Sequence, residues 1–255
     1  MQLRRLQNFR QLYKYLHTSE MSVEESKKKA AFAAVDNHVK PNQIVGVGSG
    51  STIVYAVQRL AAREKEEGLN IRCVPTSFQA RQLILDAGLN LSDLERESQI
   101  DITIDGCDES DVNLTLIKGG GGCLTQEKIV AANSREFVVI ADYRKNSASL
   151  GEQWKYVPIE VVPFAWKQVK SKIEQELGGE AKLRMAKAKA GPVVTDNSMF
   201  LLDWYMGDQA RDWFTVNQRI VTIPGVLETG LFVNMAQKAY FGLENGTVLE
   251  KAKPV

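Results

Sequence analysis

Residues 100–132 read IDITIDGCDESDVNLTLIKGGGGCLTQEKIVAA. Ile100–Ile104 is a short apolar run with the composition of a buried strand, and it stops at Asp105. A carboxylate at the carboxyl end of an α/β strand sits where open-sheet proteins bind ligands. Asp108 follows, then a second apolar run, Asn113–Ile117, with Lys118 at its end. Gly119 to Gly122 could be interior helix or strand only at an entropic cost, so this backbone comes very close to something. Leu124–Ala132 reads as a helix with Leu124, Glu127 and Ala131 on one face. A glutamate on an apolar face is partly desolvated, which raises its pKa and prepares it as a general base near neutral pH. Glutamate in a first helical turn also answers the helix dipole. The company of Asp105, Asp108 and Lys118 favours the chemical reading.

Upstream, Gln43–Gln58 reads as strand, turn and helix: Ile44–Val47, then a turn rich in glycine and hydroxyls, then a helix from Ile53. Gly46, Gly48 and Gly50 let amides point at an anion, and Ser49, Ser51 and Thr52 add hydroxyl donors at a helix N-terminus. The turn lacks the G-K-[ST] of a Walker loop and the later glycine of a dinucleotide fingerprint. Ser22 and Glu25 form the capping box of a helix reaching about Val39. Ile71–Val74 is a strand, Ser77 caps a helix over Phe78–Ala87, Leu89–Leu91 is a short strand and Ser92–Arg96 a helical turn. Phe137–Ala141 is a buried strand ending at Asp142, with Lys145 just beyond. Strands alternating with helices make a parallel sheet, so the strand ends at Ser49–Thr52, Asp105, Lys118 and Lys145 are expected to gather on one edge as one site.

After Gly151 the pattern changes. Val157–Val162, helix Phe164–Leu177, Ala181–Ala186, Phe200–Trp204, helix Asp208–Asn217 and Ile220–Ile223 follow the order βαββαβ of a ferredoxin-like unit. The expected architecture is α/β: a Rossmann-like parallel-sheet domain over 21–151 and 228–255, with a smaller α+β, ferredoxin-like domain over 152–227. Leu231–Met235 and Ala239–Phe241 read as strands returning to the first domain, and the charged tail from Glu250 as frayed. Residues 1–20 read as a disordered extension; they carry Arg4, Arg5, Arg10 and Lys14 with no acid before Glu20, so a presequence is the other reading, and Met21 is a second possible start. Trp154, Trp166, Trp204 and Trp213 read as core or interface anchors of the second half.

The 255 residues are 44% apolar, enough for a sizeable core, and the net charge of +1 gives no argument for nucleic acid or a membrane surface as partner. No apolar run has the length of a membrane span. Cys73, Cys107 and Cys123 form no CxxC pair, which fits a reducing, cytoplasmic setting. His17 and His38 lie far in sequence from the acidic stretch, which argues against histidine-based catalysis and a histidine-held zinc.

The blocks VGVGSGST (45–52), DGCDESD (105–111), LIKGGGGCLTQEKIVA (116–131), ADYRK (141–145), VPIEVVP (157–163), GPVVTDN (191–197) and IPGV and TGLF within 223–232 resemble the A-type ribose-5-phosphate isomerase family. The resemblance covers nearly all of the chain from Met21. It implies interconversion of D-ribose 5-phosphate and D-ribulose 5-phosphate in the non-oxidative pentose phosphate pathway, with no metal or redox cofactor, a sugar-phosphate partner and a homo-oligomer, a dimer being favoured. It places the base at Glu127 in QEKI. Ring opening falls to Asp105 or Asp108 and enediolate stabilisation to Lys118 with the glycine amides. The substrate-binding positions are Ser49, Gly50, Ser51, Thr52, Gly106, Cys107, Gly119, Gly120, Gly121 and Lys145. Which loop takes the phosphate stays open.

Two positions depart from the family pattern: Cys107 replaces the alanine of DGAD, and DNSM at 196–199 replaces DNGN. A thiol beside two carboxylates is expected to pack and to be sluggish; a redox-sensitive site is the other reading. The 196–199 loop is expected at the domain junction. Asp105, Asp108 and Asp111 could alternatively hold Mg²⁺ in a phosphotransferase, although their spacing fits no EF-hand. A non-catalytic sugar-phosphate sensor is the reading from another class, opposed by the presence of both Glu127 and Lys118. A nicotinamide dehydrogenase fails on the glycine pattern.

Overall fold

The computed structural model describes residues 22–207 and 211–254. The leader 1–20 and Met21 lie outside it. The first described element is α1 (Val23–His38), started by Ser22 and Glu25 in a reciprocal capping box. There follow β1 (Ile44–Val47), α2 (Ile53–Glu67), β2 (Arg72–Pro75), α3 (Phe78–Asp86, capped by Ser77), β3 (Asn90–Leu91) and β4 (Ile100–Asp105). A tight hairpin, β5 (Glu109–Ser110) and β6 (Leu116–Ile117), leads into α4 (Leu124–Ala132) and β7 (Ser134–Asp142). A 3₁₀ turn over Tyr143–Lys145 closes this half.

The large sheet has the order β14-β13-β7-β4-β1-β2-β3, where β13 is Lys238–Gly242 and β14 Val248–Ala252. All its pairings are parallel except β13 with β14. From β3 to β13 this is the Rossmann order, whose direction reverses between β1 and β4. A crevice opens at that switch point, beyond the carboxyl ends of the two strands. One face packs under α1 and α2 through Ala30, Ala34, Val57 and Leu60; the other is filled by Phe137, Val139, Phe232 and Phe241.

The middle of the chain forms β8 (Tyr156–Val161), α5 (Trp166–Leu177), β9 (Glu180–Leu183), β10 (Phe200–Tyr205), α6 (Trp213–Val221) and β11 (Val226–Thr229). The antiparallel order β11-β8-β10-β9 is that of a ferredoxin-like sheet. Val169, Ile173, Val216 and Ile220 from the two helices cover it, and Trp204, fully buried, gives its Nε1 proton to Gly178 O at 2.9 Å.

Four expectations change. The last strand of this unit is β11, not Ile220–Ile223. Val216 and Ile220 are a buried i, i+4 pair of α6, and Ile223 N–H closes a turn on Ile220 O. The start expected at Asp208 falls among residues outside the description, and the helix itself begins at Trp213. The tail from Glu250 is ordered as edge strand β14, where Lys238 pairs with Glu250 across the strands at 2.6 Å. Charged side chains there suit an edge strand. Lastly, Leu231–Phe232 (β12) pairs with β6 rather than with the large sheet, giving a separate three-stranded sheet, β12-β6-β5.

Candidate active site

The crevice is built first from β1 and β4. Gly48 N–H bonds Ile104 O at 3.0 Å, so the chain leaving β1 passes against Asp105. A Cβ on Gly48 would collide with that carboxylate. Asp105 is fully buried, and its Oδ1 accepts from Ser49 N–H at 3.0 Å and Gly106 N–H at 2.7 Å.

Lys118 comes from a different sheet. Its expected place on the parallel edge is wrong: it follows β6, whose partners are β5 and β12, and its N–H bonds Gly230 O at 2.8 Å. The side chain crosses to the crevice floor. Nζ lies 3.0 Å from Asp105 Oδ2 and 3.3 Å from Glu127 Oε1, and donates to Gly106 O. Lys118 and Glu127 are 3% and 5% exposed, so these charges meet with almost no solvent between them. Burial works against the charged lysine, but Asp105 and Glu127 carry its pKa above the ordinary value. Burial, reinforced by the Asp105 charge and opposed by Lys118, pushes Glu127 up to about 8. Its Oε2 is buried and receives no hydrogen bond among the described residues.

Asp108 is fixed by the β5–β6 hairpin, its N–H bonding Ile117 O at 2.8 Å. Its Oδ2 accepts from Gly120 N–H at 2.6 Å. Burial raises its pKa, against that hydrogen bond and the charge of Lys118. The glycines are needed here: Gly119 has φ +98°, and a Cβ on Gly120 would stand 2.6 Å from Asp108 Oδ1.

The mouth of the crevice is lined by the loop into α2 and the turn after β7. Ser49 turns its hydroxyl to Thr76 and Ser77, at 2.8 and 2.6 Å, and Gly50 N–H goes to Gln79 Oε1 at 2.8 Å. Ser51 Oγ accepts from Lys27 Nζ of α1 at 3.0 Å. Thr52 is the first residue of the helix cap and makes no side-chain cap bond. Lys145 Nζ sits 5.1 Å above the Trp154 ring, a cation–π contact that gives this tryptophan a neighbour in the site. Arg144 is tied to Asp142, whose pKa it holds below the carboxylate range although burial works the other way. Lys27, Gln79, Asp142, Arg144 and Lys145 join the Ser49–Thr52 loop, Lys118, Glu127 and the glycines around one cavity of about 260 Å³.

A ribose 5-phosphate isomerase A (phosphoriboisomerase A) profile matches residues 72–246. The ribose-5-phosphate isomerase of Sus scrofa is 60% identical over 232 residues, covering 91% of this chain and 76% of that one. The chain belongs to the ribose 5-phosphate isomerase A family. The Plasmodium falciparum ribose 5-phosphate isomerase structure superposes with a TM-score of 0.86 at 35% identity, covering 91% of this chain and all (100%) of that one. A D-ribose-5-phosphate isomerase in complex with phospho-erythronic acid gives 0.87 at 37% identity, covering 91% and 100% of the two chains.

The residues expected at the isomerase site come together. Ser49, Gly50, Ser51, Thr52, Gly106, Cys107, Asp108, Lys118, Gly119, Gly120, Gly121, Glu127 and Lys145 all line the cavity. Asp105 does not; it lies beneath the floor, its oxygens facing Lys118 and two backbone amides. Asp111 is elsewhere, its Oδ1 accepting from Asn113 and Thr115 N–H, so the three aspartates do not converge as a shared Mg²⁺ site would require. Burial pushes the Cys107 thiol up to about 12, in line with a packed, sluggish cysteine. The 196–199 turn does bridge the two sheets: Asp196 accepts from Phe78 N–H and Asn197 from Gln126. Sequence reasoning missed Lys27, Gln79, Cys123, Asp142 and Arg144 as lining residues. Arg144 stood next to Lys145 in the quoted block; Lys27 is the first of three consecutive lysines, and nothing local marks it out.

Proposed function

We infer that this chain interconverts D-ribose 5-phosphate and D-ribulose 5-phosphate through an enediolate, with Glu127 moving the proton between C2 and C1. The observation that carries the reading is the Glu127 carboxylate: it lines the cavity, is buried and raised in pKa, and has one oxygen beside Lys118 and the other without a hydrogen bond among the described residues. A relative's complex with phospho-erythronic acid supports the chemistry, because a sugar-acid carboxylate carries the planar charge that an enediolate develops.

The phosphate belongs at the mouth. The N-terminus of α2 offers amides to an anion, with Ser51, Thr52, Lys27 and Lys145 beside it. That leaves C1 and C2 at the floor. Of the two aspartates, Asp108 lines the cavity with a raised pKa, so it moves the ring-oxygen and hydroxyl protons as the furanose opens. Asp105, enclosed and facing Lys118, holds that ammonium in place. Glu127 then takes the proton from C2; the C–H electron pair becomes the C1–C2 double bond, and the C1 oxygen gains the charge. Lys118 and the glycine amides stabilise this oxyanion. A proton passes from the C2 hydroxyl to the C1 oxygen, Glu127 returns its own proton to C1, and C2 becomes the carbonyl. The electrons stay within the substrate, so the step as written uses no redox cofactor.

The test is isomerisation of ribose 5-phosphate by the purified chain, with and without EDTA, beside Glu127→Gln. The expected result is EDTA-insensitive turnover that falls at least about 10²-fold in the variant, the lower range for losing general acid–base catalysis. Near-normal turnover of Glu127→Gln removes the base from that residue.

Three further readings belong here. The division into a catalytic domain of 21–151 with 228–255 and a smaller domain of 152–227 is supported by separate apolar clusters for the two sheets. A homodimer is supported by the family resemblance and by side chains as open as Phe164, 96% exposed, which an interface would cover; sedimentation at equilibrium checks it. A cytoplasmic location rests on the unpaired cysteines, and among the described residues no helix is long and apolar enough to cross a membrane.

A further inference from the structure

Arg184 belongs to the segment just beyond β9 and has no part in the chemistry above, yet its guanidinium reaches the site. In one direction it grips Asp203 of β10: Nε lies 2.9 Å from Oδ2 and 3.1 Å from Oδ1, and Nη2 also donates to Oδ1. In the other, Nη1 donates to Gly119 O at 3.0 Å and Gly120 O at 3.1 Å. Both side chains are nearly enclosed, at 14% and 13% exposure. Only a planar fork with five N–H donors can hold a carboxylate and two carbonyls at once; an ammonium has three donors around one point.

The consequence follows from the peptide plane. In a trans peptide the N–H points opposite to the C=O. Pinning Gly119 O therefore aims Gly120 N–H the other way, and that amide lands on Asp108 Oδ2 at 2.6 Å. Pinning Gly120 O aims Gly121 N–H likewise. Gly121 lines the cavity, and its amide meets no acceptor among the described residues. The glycines supply the freedom to take this shape, and glycine freedom by itself holds no shape. Something outside the loop must.

We propose that Arg184, locked by Asp203, is a positioning residue for the isomerisation, holding the glycine loop so that Gly120 N–H fixes Asp108 and Gly121 N–H faces the developing enediolate oxygen. The smaller sheet thereby sets geometry in a cleft that belongs to the large one. This rests on the enediolate reading of the site. Wild-type turnover and Glu127→Gln test that reading; the Arg184 variants test this one in an enzyme already shown to isomerise.

The experiment is steady-state kinetics of Arg184→Met and Arg184→Lys in the full chain, with thermal unfolding alongside. In folded variants kcat is expected to fall about 10- to 100-fold, the cost of a misplacement near 1 Å, while KM stays within about threefold. Arg184→Lys keeps the charge but not the fork, so it too should lose kcat. Millimolar guanidinium should restore turnover to Arg184→Gly, and methylammonium should not. A kcat within about twofold of wild type in folded Arg184→Met overturns the proposal. If that variant does not fold, an undiminished kcat in Arg184→Lys overturns it.

Discussion

At and just beneath the floor of the cleft Lys118, Glu127 and Asp105 are 3%, 5% and 0% exposed, while at its mouth Ser51 and Arg144 stand in solvent, Lys145 is half-covered and the Lys27 side chain is paired with the exposed Glu24. The two regions use charge differently. At the floor each charge leans on the others, because water is excluded and the effective dielectric is low. Removing one changes the protonation and the fit of the rest. At the mouth, water and salt screen each cation, and losing one takes away attraction for an anion and little else. Chemistry that needs a carboxylate near neutral pKa is possible only in the first setting; rapid capture and release of a phosphorylated substrate suits the second.

The contrast is broken most directly at Lys118. Lys118→Met leaves two buried carboxylates facing each other, so turnover should fall by about 10²–10³, as when an oxyanion donor is lost. Stability should drop by about 3–5 kcal/mol, the cost of orphaning one side of a buried ion pair. Kinetics and denaturant unfolding read the two effects separately, and full turnover in a folded variant would reject the electrostatic role.

Next come the glycines. In Gly120→Ala the new methyl meets Asp108, so kcat should fall about tenfold or more. In Gly121→Ala the methyl meets nothing in the protein, so the unfolding temperature should stay unchanged and any loss should appear in KM. Equal effects of the two changes would mean that the Asp108 contact is incidental.

The pH profile sharpens the same point. As the proposed base Glu127 must be ionised, so kcat/KM should be lost as pH falls through its raised pKa, about 8. Asp105→Asn removes a like charge that helps to raise this pKa, so the acidic limb should move to lower pH. An unmoved limb in that variant would assign the limb to another group.

The smallest effect belongs to the mouth. Lys27→Met, which removes a cation shared with the exposed Glu24, should raise KM about fivefold, in the range of one ion pair with an exposed partner, with kcat unchanged and with less dependence of KM on salt. A kcat effect as large as that of Lys118→Met would erase the distinction between floor and mouth.

Much of this was legible in the sequence because it is local. The capping box at Ser22 and Glu25, the strands Ile44–Val47 and Ile100–Asp105, and helix Leu124–Ala132 follow from periodicity and end signals within a few residues. Glu127 stood out because a charge on an apolar helical face is itself a local contradiction. Ile220–Ile223 was misread for the same reason that short apolar runs often are: four residues do not distinguish a strand from a helix end. The tail became strand β14 only because β13 offered an unpaired edge, which no feature of residues 248–252 announces.

Alone, then, the sequence determined most of the residues on which the proposed chemistry rests and most of the local elements, since residue type, glycine placement and hydrophobic period act over one or two turns of chain. Tertiary structure decided the rest. It brought Lys118 in from a three-stranded antiparallel sheet and put Asp105 beneath the floor rather than on it. It set Lys27 of the first helix beside Ser51 and laid Arg184 against a glycine loop 65 positions away in sequence. These are consequences of burial and long-range pairing. A pKa, an ion pair or a pinned carbonyl depends on what surrounds a group in space, and in a chain of this topology most of those neighbours come from elsewhere in the sequence.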